Sequence, residues 1–412
     1  MSEWKKVKLG DCCEITSSKR IFLSDYVPVG IPFYRSKEIA EMQKGESIFD
    51  PLFISNDKYE EIKCKFGIPH KGDLLLTAIG ATLGIPYVIK NNLPFYFKDG
   101  NLIWFKNFND LLDSSFLYTW MCSSFGYQSM QNIAIGSAQK ALTISALKDL
   151  SLIVPPIEIQ HRIASILSRY DSLIENYQKQ IKLLEEAAQR LYKEWFVDLH
   201  FPGHENTKII DGVPEGWEKK PALDFFEMSI GKTPPRAQKQ WFTKGNNGIP
   251  WVSISDMKDT MFVQETAEEL TLDACENYNI KVVPKGTILL SFKLTVGRVA
   301  FAGTDVCTNE AIAHFQKESD EWKAYTLMYL RNYNYDSLGN TSGISKAVNS
   351  TIIKNMPFVM PCTAILQEFS QRVLPFIKQT ENLQSQIRLL AEARDRLLPK
   401  LMSGDIEIES LK

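Results

Sequence analysis

The residues best equipped for chemistry in this 412-residue chain are few, and their spacing works against them. Gly231-Lys232-Thr233 matches the end of a phosphate-binding loop, but Phe226 stands where the first glycine belongs, so the backbone N–H cradle is incomplete. That stretch reads as a turn into Pro234-Pro235. His200 and His204 are spaced like metal ligands, yet Pro202 and Gly203 separate them and no third ligand is near, which makes them loop residues. His161 and His314 have no serine or cysteine partner in a recognisable motif. The proline pairs in Val154-Pro155-Pro156-Ile157 and Thr233-Pro234-Pro235-Arg236 lack the acidic or amide residue before them and the aromatic after them that an amino-methyltransferase loop requires. No glycine-rich cofactor loop follows a strand. The seven cysteines (12, 13, 64, 122, 275, 307 and 362) are odd in number and contain no CxxC pair, so neither a disulfide framework nor a zinc site is expected. The expectation is a chain that holds no metal or cofactor and catalyses nothing by itself.

Composition is that of an ordinary globular protein, 44% hydrophobic and 23% charged, and the length exceeds what one core usually fills. Two or more domains are expected. The basic N-terminal stretch MSEWKKVKLGD is followed by no apolar segment, and no run of about 18 apolar residues occurs, which points to a cytoplasmic chain with no membrane span. A net charge of -2 provides no general attraction for nucleic acid. A DNA ligand would require basic side chains gathered on one face, or electrostatics supplied by partner subunits.

What must position any functional residue is a tandem repeat. Residues 180–191 (QIKLLEEAAQRL) match residues 386–397 (QIRLLAEARDRL) at 8 of 12 positions, with an offset of 206. GIPFYRSKEI at 30–39 echoes GIPWVSISDM at 248–257, and KGDLLLTAIGATLG at 71–84 echoes KGTILLSFKLTVG at 285–297. Trp4 and Trp217 open the copies; Gln139-Lys140 with Val154-Pro155, and Ser345-Lys346 with Met360-Pro361, stand near their ends.

Each copy has two parts. In the first, residues 73–79, 86–89, 288–292 and 299–301 are short apolar runs bounded by turn residues and read as strands. In the second, after Pro155-Pro156, apolar residues at Ile159, Ile163, Ile166, Tyr170, Leu173, Tyr177, Ile181, Leu184, Ala188, Leu191 and Trp195 recur at a mean interval of 3.6, describing one helix that ends at His200-Phe201-Pro202-Gly203. The second copy runs from Pro361 to Pro399 with Phe369, Val373, Phe376, Leu383, Ile387, Leu390, Leu397 and Leu401. Each helix would be about 55 to 60 Å long. A stripe that outreaches a domain of about 15 Å radius of gyration is better matched by a partner helix than by its own domain alone. The predicted fold is α+β: two strand-rich domains alternating with two long helices that pair as an antiparallel coiled coil, with pseudo-twofold symmetry. The segments are 1–155, 156–200, 201–360 and 361–412.

These residues together resemble the specificity (S) subunits, HsdS, of type I restriction-modification systems, and the resemblance covers almost the whole chain. Val154-Pro155-Pro156 through Gln160, Arg162-Ile163-Ala164, Ile166-Leu167 and Asp171 is similar to the family's junction into its first helix. Leu184-Glu185 through Trp195-Phe196-Val197-Asp198 is similar to that helix's end, and Ala391-Glu392-Ala393-Arg394-Asp395 with the run from Leu397 to Gly404 to the C-terminal helix. The glycine turns at 79–84 and 294–297 resemble those of target-recognition domains. The family usually has Glu-Gln where this chain has Glu158-Ile159-Gln160 and Leu366-Gln367, and the second copy is degenerate around Cys362.

The resemblance implies that each globular segment reads one half of a bipartite, asymmetric double-stranded DNA site, while the helices space the readers and dock two modification subunits. Those subunits would carry S-adenosylmethionine and methylate adenine N6; restriction/translocase subunits would add ATP- and Mg-dependent translocation and cleavage. Candidate DNA-contacting residues, polar or basic and in loops, are Lys19, Arg20, Arg35, Ser36, Lys37, Thr82 and Lys140 in the first copy. In the second they are Lys232, Arg236, Lys239, Ser253, Ser255, Lys293, Arg298 and Lys346. The competing reading is a non-catalytic coiled-coil scaffold with two modules that bind something other than DNA.

Overall fold

The computed structural model describes residues 4–45, 48–136, 139–210, 212–245, 247–338 and 348–406. The chain forms two compact units, one of Met1–Glu175 with Leu389–Lys412 and the other of Asn176–Arg388. In the first, Lys5–Lys8 pairs antiparallel with Ser151–Val154 and closes the globular part. A four-stranded antiparallel sheet has the order Glu14–Thr16, Leu102–Lys106, Leu74–Thr77, Pro86–Val88. A second has the order Tyr26–Val27, Leu52–Ile54, Ile31–Tyr34, Tyr96–Phe97, and its last pair is parallel. The strand Leu74–Thr77 is buried along its whole length, which is why it reads as a continuous apolar run rather than an alternation.

The second unit repeats this plan with additions. Glu218–Pro221 pairs with Pro357–Met360 as the closing ribbon. The first sheet runs Glu227–Ile230, Ile312–Gln316, Ile288–Ser291, Val299–Ala302, and adds Phe262–Val263 in parallel at its edge. The other runs Phe242–Thr243, Glu268–Leu270, Ile249–Val252, Cys307–Thr308, again with a parallel last pair. The four strands expected from sequence are present; three end one or two residues early, at Thr77, Val88 and Ser291, where the following loops begin.

The first long helix is Ile157–Tyr192, continued by a π turn over Lys193–Val197. The second, Thr363–Ser403, extends four residues past the expected end at Pro399 and passes through Pro375. A proline inside a helix costs about 3 kcal/mol. Pro375 and Gln371, whose carbonyl it leaves unpaired, both face solvent, while Val373 and Ile377 on the opposite side are buried. The solvent-facing position spares that carbonyl a burial penalty, and apolar burial on the opposite side holds the helix together.

The helix stripe is distributed between two cores. In the first unit Ile163 is buried, Ile166, Tyr170, Leu390 and Leu397 are half-buried, and Ile163 and Leu167 share a core with Leu398 and Leu401. Arg394 and Asp171 form an ion pair at 2.7 Å. In the second unit Phe369, Val373 and Leu383 are buried, with Tyr177, Ile181, Leu184, Leu191, Phe376 and Ile387 half-buried. Leu173 is 42% exposed; Ile174, one residue on, is the half-buried neighbour in that turn. The helices also pack on globular surface. Gln384 accepts from Phe262 N at 3.1 Å, Gln264 donates to Ser385 at 2.7 Å, and Arg331 pairs with Glu185 at 3.3 Å.

Tryptophans Trp4 and Trp217 have equivalent settings. Trp217 packs at a tilt against Phe196 and Phe201 at the end of the first long helix, and Trp4 lies against Gly404 at the end of the second.

Candidate nucleic-acid interface

In each unit the fully buried central strand ends in a hydroxyl residue, Thr77 or Ser291, and a loop begins there. Thr77 Oγ1 donates to Thr82 O and accepts from Ile85 N at 2.8 Å; Gly84 N closes the turn on Thr77 O at 2.8 Å. Ser291 Oγ donates to Thr295 O at 2.6 Å and accepts from Arg298 N at 3.0 Å; Gly297 N closes on Ser291 O at 2.9 Å. Gly84 and Gly297 have φ of 87° and 92°, the left-handed region that side chains disfavour, and each faces a tyrosine ring, Tyr127 or Tyr335. Two loops with different tips thus share one mount. The first tip is Gly80-Ala81-Thr82 and the second is Lys293-Leu294-Thr295, in a loop one residue shorter between Ser291 and Gly297 than between Thr77 and Gly84.

Of the first copy's candidates, Lys19, Arg20 and Lys140 are exposed, with the Lys19 ammonium 4.7 Å from the Phe66 ring centre and Arg20 5.6 Å from that of Phe22. Thr82 lies in the mounted loop, whose tip lines an open cavity of about 680 Å³ with Tyr127, Gln131, Gln139 and Lys140. Arg35, Ser36 and Lys37 are engaged within their own unit. Arg35 pairs with buried Glu38 at 2.5 Å, Ser36 donates to Asn101 O at 3.2 Å, and Lys37 lies 3.6 Å from Glu41. Burial alone would raise the Glu38 carboxyl, but hydrogen bonds from the Arg35 side chain and backbone hold it below its ordinary value.

In the second copy, Lys232 donates to the carbonyls of Asn279 at 3.0 Å and Tyr278 at 3.5 Å. Arg236 is held more rigidly: its guanidinium lies 4.6 and 4.5 Å from the ring centres of Phe242 and Trp251 and pairs with Glu268 at 2.6 Å, with half its side chain exposed. Arg236 and Lys293 gather around Glu310. Burial would raise that carboxyl, but a hydrogen bond from Thr233 and these two charges hold it down. Arg298 donates to Ile254 O at 2.7 Å, between Ser253 and Ser255, whose hydroxyls are 2.6 Å apart and whose turn is capped by Asp256. Lys239 is exposed, and Lys346 lies outside the described residues.

Among the described residues no cluster of three or more His, Cys, Asp or Glu could hold a metal. His204 bonds the carbonyl of Phe201, and His161 lies 3.5 Å from Asp113. No helix among these residues is long and apolar enough to cross a membrane. The seven cysteines are free thiols.

Sequence reasoning missed Thr77 and Ser291, although both end the aligned runs KGDLLLT and KGTILLS, and a hydroxyl kept at the same place after an apolar strand was the available signal. The sequence marks residues 180–191 and 386–397 as the shared stretch that two partner subunits would need, but not which face of each helix is free. Leu183, Glu186, Ala187 and Arg190 in one unit, and Leu389, Glu392, Ala393 and Arg396 in the other, are identical pairs, all exposed, spaced i, i+3, i+4, i+7 on one side of a helix. The two leucines are 64% and 54% exposed. Glu392 and Arg396 pair with each other at 2.5 Å, but burial in a core accounts for none of these identities.

The family model described as "Type I restriction modification DNA specificity domain" matches residues 1–186 and 214–392. The chain is 28% identical over 428 residues to the type I restriction enzyme MjaIX specificity subunit of Methanocaldococcus jannaschii, covering 99% of this chain and 95% of that protein. It is 23% identical to the HindI specificity subunit of Haemophilus influenzae, covering 98% and 100%. A crystal structure of the type I restriction-modification S subunit from M. genitalium superposes with a TM-score of 0.61 at 16% identity, covering 97% of this chain and 96% of that one, which shows a shared fold.

Proposed function

Because this chain belongs to the type I restriction-modification specificity (HsdS) family, we propose that it directs such a complex to DNA, each globular part reading one half of a bipartite, asymmetric site. Residues 1–155 and 201–360 are the two recognition domains. The helical segments 156–200 and 361–412 pair antiparallel, set the distance between the readers and dock two modification subunits. The chain itself is non-catalytic. S-adenosylmethionine belongs to the modification subunits, and ATP and Mg to the restriction subunits.

The observation that carries this reading is which parts of the duplication were kept and which diverged. Sheet order, closing ribbons and loop mounts recur in both units. The loop tips and their charged surroundings do not: one is small and neutral beside an amide-lined cavity, the other carries Lys293 near the stacked Arg236. Two readers of different half-sites require this combination. Major grooves one helical turn apart are separated by about 34 Å, within the reach of helices of this length.

Docking is supported by the exposed Leu-Glu-Ala-Arg face present once in each unit. A partner that binds twice through the same surface needs the same residues twice. A net charge of -2 also suits a subunit whose partners supply much of the phosphate neutralisation.

The deciding experiment is selection from a random-sequence duplex pool by the chain assembled with its methyltransferase partner. Enrichment of a split, asymmetric motif is expected; binding without sequence preference would sink the proposal.

A further inference from the structure

We propose that Thr77 and Ser291 are positioning residues for sequence readout, each fixing the shape of one base-reading loop and therefore the preference in one half-site only. This rests on the reading of each globular part as a DNA reader.

Packing does not explain a hydroxyl at these positions. The strands Leu74–Thr77 and Ile288–Ser291 are buried at every residue, and an apolar side chain would fill the same volume. What the hydroxyl adds is a double bond to the loop: it gives its proton to a carbonyl on the far side, Thr82 O or Thr295 O, and takes one from the next strand's approach, Ile85 N or Arg298 N. Without it, the loop would lose both of these hydrogen bonds, which tie half-buried backbone to the end of the strand. The same pair of hydrogen bonds in two units whose loops differ in length and sequence shows that the mount is independent of what it carries.

The tips lie on the surface. Ala81 is exposed, Leu294 is 78% exposed, and Leu294 holds a φ of 61° that a non-glycine residue keeps only when its surroundings fix it. Beside the first tip, Gln131, Gln139 and Lys140 line the cavity and offer donors and acceptors suited to base edges. Beside the second, Lys293 and Arg236 offer cations. A loop already held in its binding shape loses little conformational freedom on meeting DNA, and its discrimination depends on that shape being single.

The test uses the full chain assembled with its methyltransferase partner and competitor duplexes carrying one base-pair change at each position of the motif. Thr77→Val is expected to reduce discrimination about tenfold at one or more positions of one half-site, leaving the other half intact; Ser291→Ala should do the same for the opposite half. Thr77→Ser and Ser291→Thr keep the hydroxyl and should restore wild-type discrimination, an outcome that a purely packing role would not produce. Ala81→Lys leaves the mount untouched and should change preference in the same half as Thr77→Val, which keeps the test open if that variant assembles poorly. Discrimination within about twofold of wild type in assembled Thr77→Val and Ser291→Ala complexes, or loss in both halves together, would overturn the proposal; where Thr77→Val does not assemble, an Ala81→Lys complex within about twofold of wild type would do the same. A wild-type complex with no sequence preference would instead refute the recognition reading beneath it.

Discussion

The two units differ most tellingly at a position where their sheets superimpose in register. In the first, Trp104 sits opposite Thr16 and Leu75; in the second, His314 sits opposite Ser229 and Leu289. Trp104 donates its indole N–H to Asp73 at 2.8 Å and carries no charge at any pH. His314 is fully buried between the hydroxyls of Ser229 at 2.8 Å and Thr308 at 2.7 Å, and burial pushes its pKa down to about 4. One scaffold therefore accepts two core solutions, of which one is acid-labile. The helix entrances differ in the same way. Gln160, buried, receives Asp113 N at 2.9 Å and donates to the carbonyls of Leu111 and Pro155 at 2.8 Å, whereas Leu366 at the equivalent place in the second copy is simply packed. A duplicated fold keeps its geometry while each copy satisfies its interior by different chemistry.

The comparison can be broken most decisively by exchange. Replacing residues 1–155 by the first domain of another family member should change every specified base pair of one half-site, a preference shift of more than about a thousandfold summed over several positions, with the other half unaltered. Base-resolved methylation mapping reads this directly. Altered preference in both halves would show that the units are not independent readers.

Acid should separate the units next. The His314 pKa in the folded chain lies below its ordinary value of about 6.5, so unfolded chain takes up the proton first. Its contribution to stability is complete above that value and is lost as pH falls toward about 4, amounting to about 3 kcal/mol. Hydrogen exchange followed from pH 7 downward should show the strand Ile312–Gln316 losing protection before Leu102–Lys106, and His314→Asn should flatten the difference. Simultaneous loss in the wild-type chain would remove the distinction.

A smaller effect sharpens the comparison from the other side. Gln160→Ala leaves the half-buried Asp113 N–H and the carbonyls of Leu111 and Pro155 without their partner and should cost about 2 kcal/mol in the first unit. Leu366→Gln would test whether the second unit has groups to receive an amide; equal tolerance of both changes in chemical denaturation would mean that the entrances are interchangeable.

Much of this architecture was legible because its signals are periodic or repeated. The 3.6-residue spacing from Ile159 to Trp195 marked the first long helix, and the echo of KGDLLLT in KGTILLS marked the central strands. Leu173 was misassigned because a stripe of three- and four-residue steps leaves two adjacent apolar residues nearly equivalent; the half-buried residue is Ile174. The end of the second helix was missed because Pro399 reads as a stop, whereas burial of Leu398 and Leu401 carries the helix on to Ser403. Candidate DNA contacts were the least legible. Arg35 and Arg236 are both basic residues near turns, and only their neighbours show that one is spent on buried Glu38 while the other is stacked with half its side chain exposed.

Sequence by itself determined the duplication, the alternation of strand-rich and helical parts and the absence of a complete catalytic motif, since these reside in order and spacing along the chain. Only the tertiary structure decided which residues serve as mounts and which as tips. The hydroxyls of Thr77 and Ser291 acquire their role from carbonyls and N–H groups four to eight residues away, brought within hydrogen-bond distance by the folded turn. Likewise, exposure of the Leu-Glu-Ala-Arg face depends on which side of each helix the core occupies. Hydrogen bonds and burial are relations between residues in space, and spacing along the chain constrains them only where the structure is periodic.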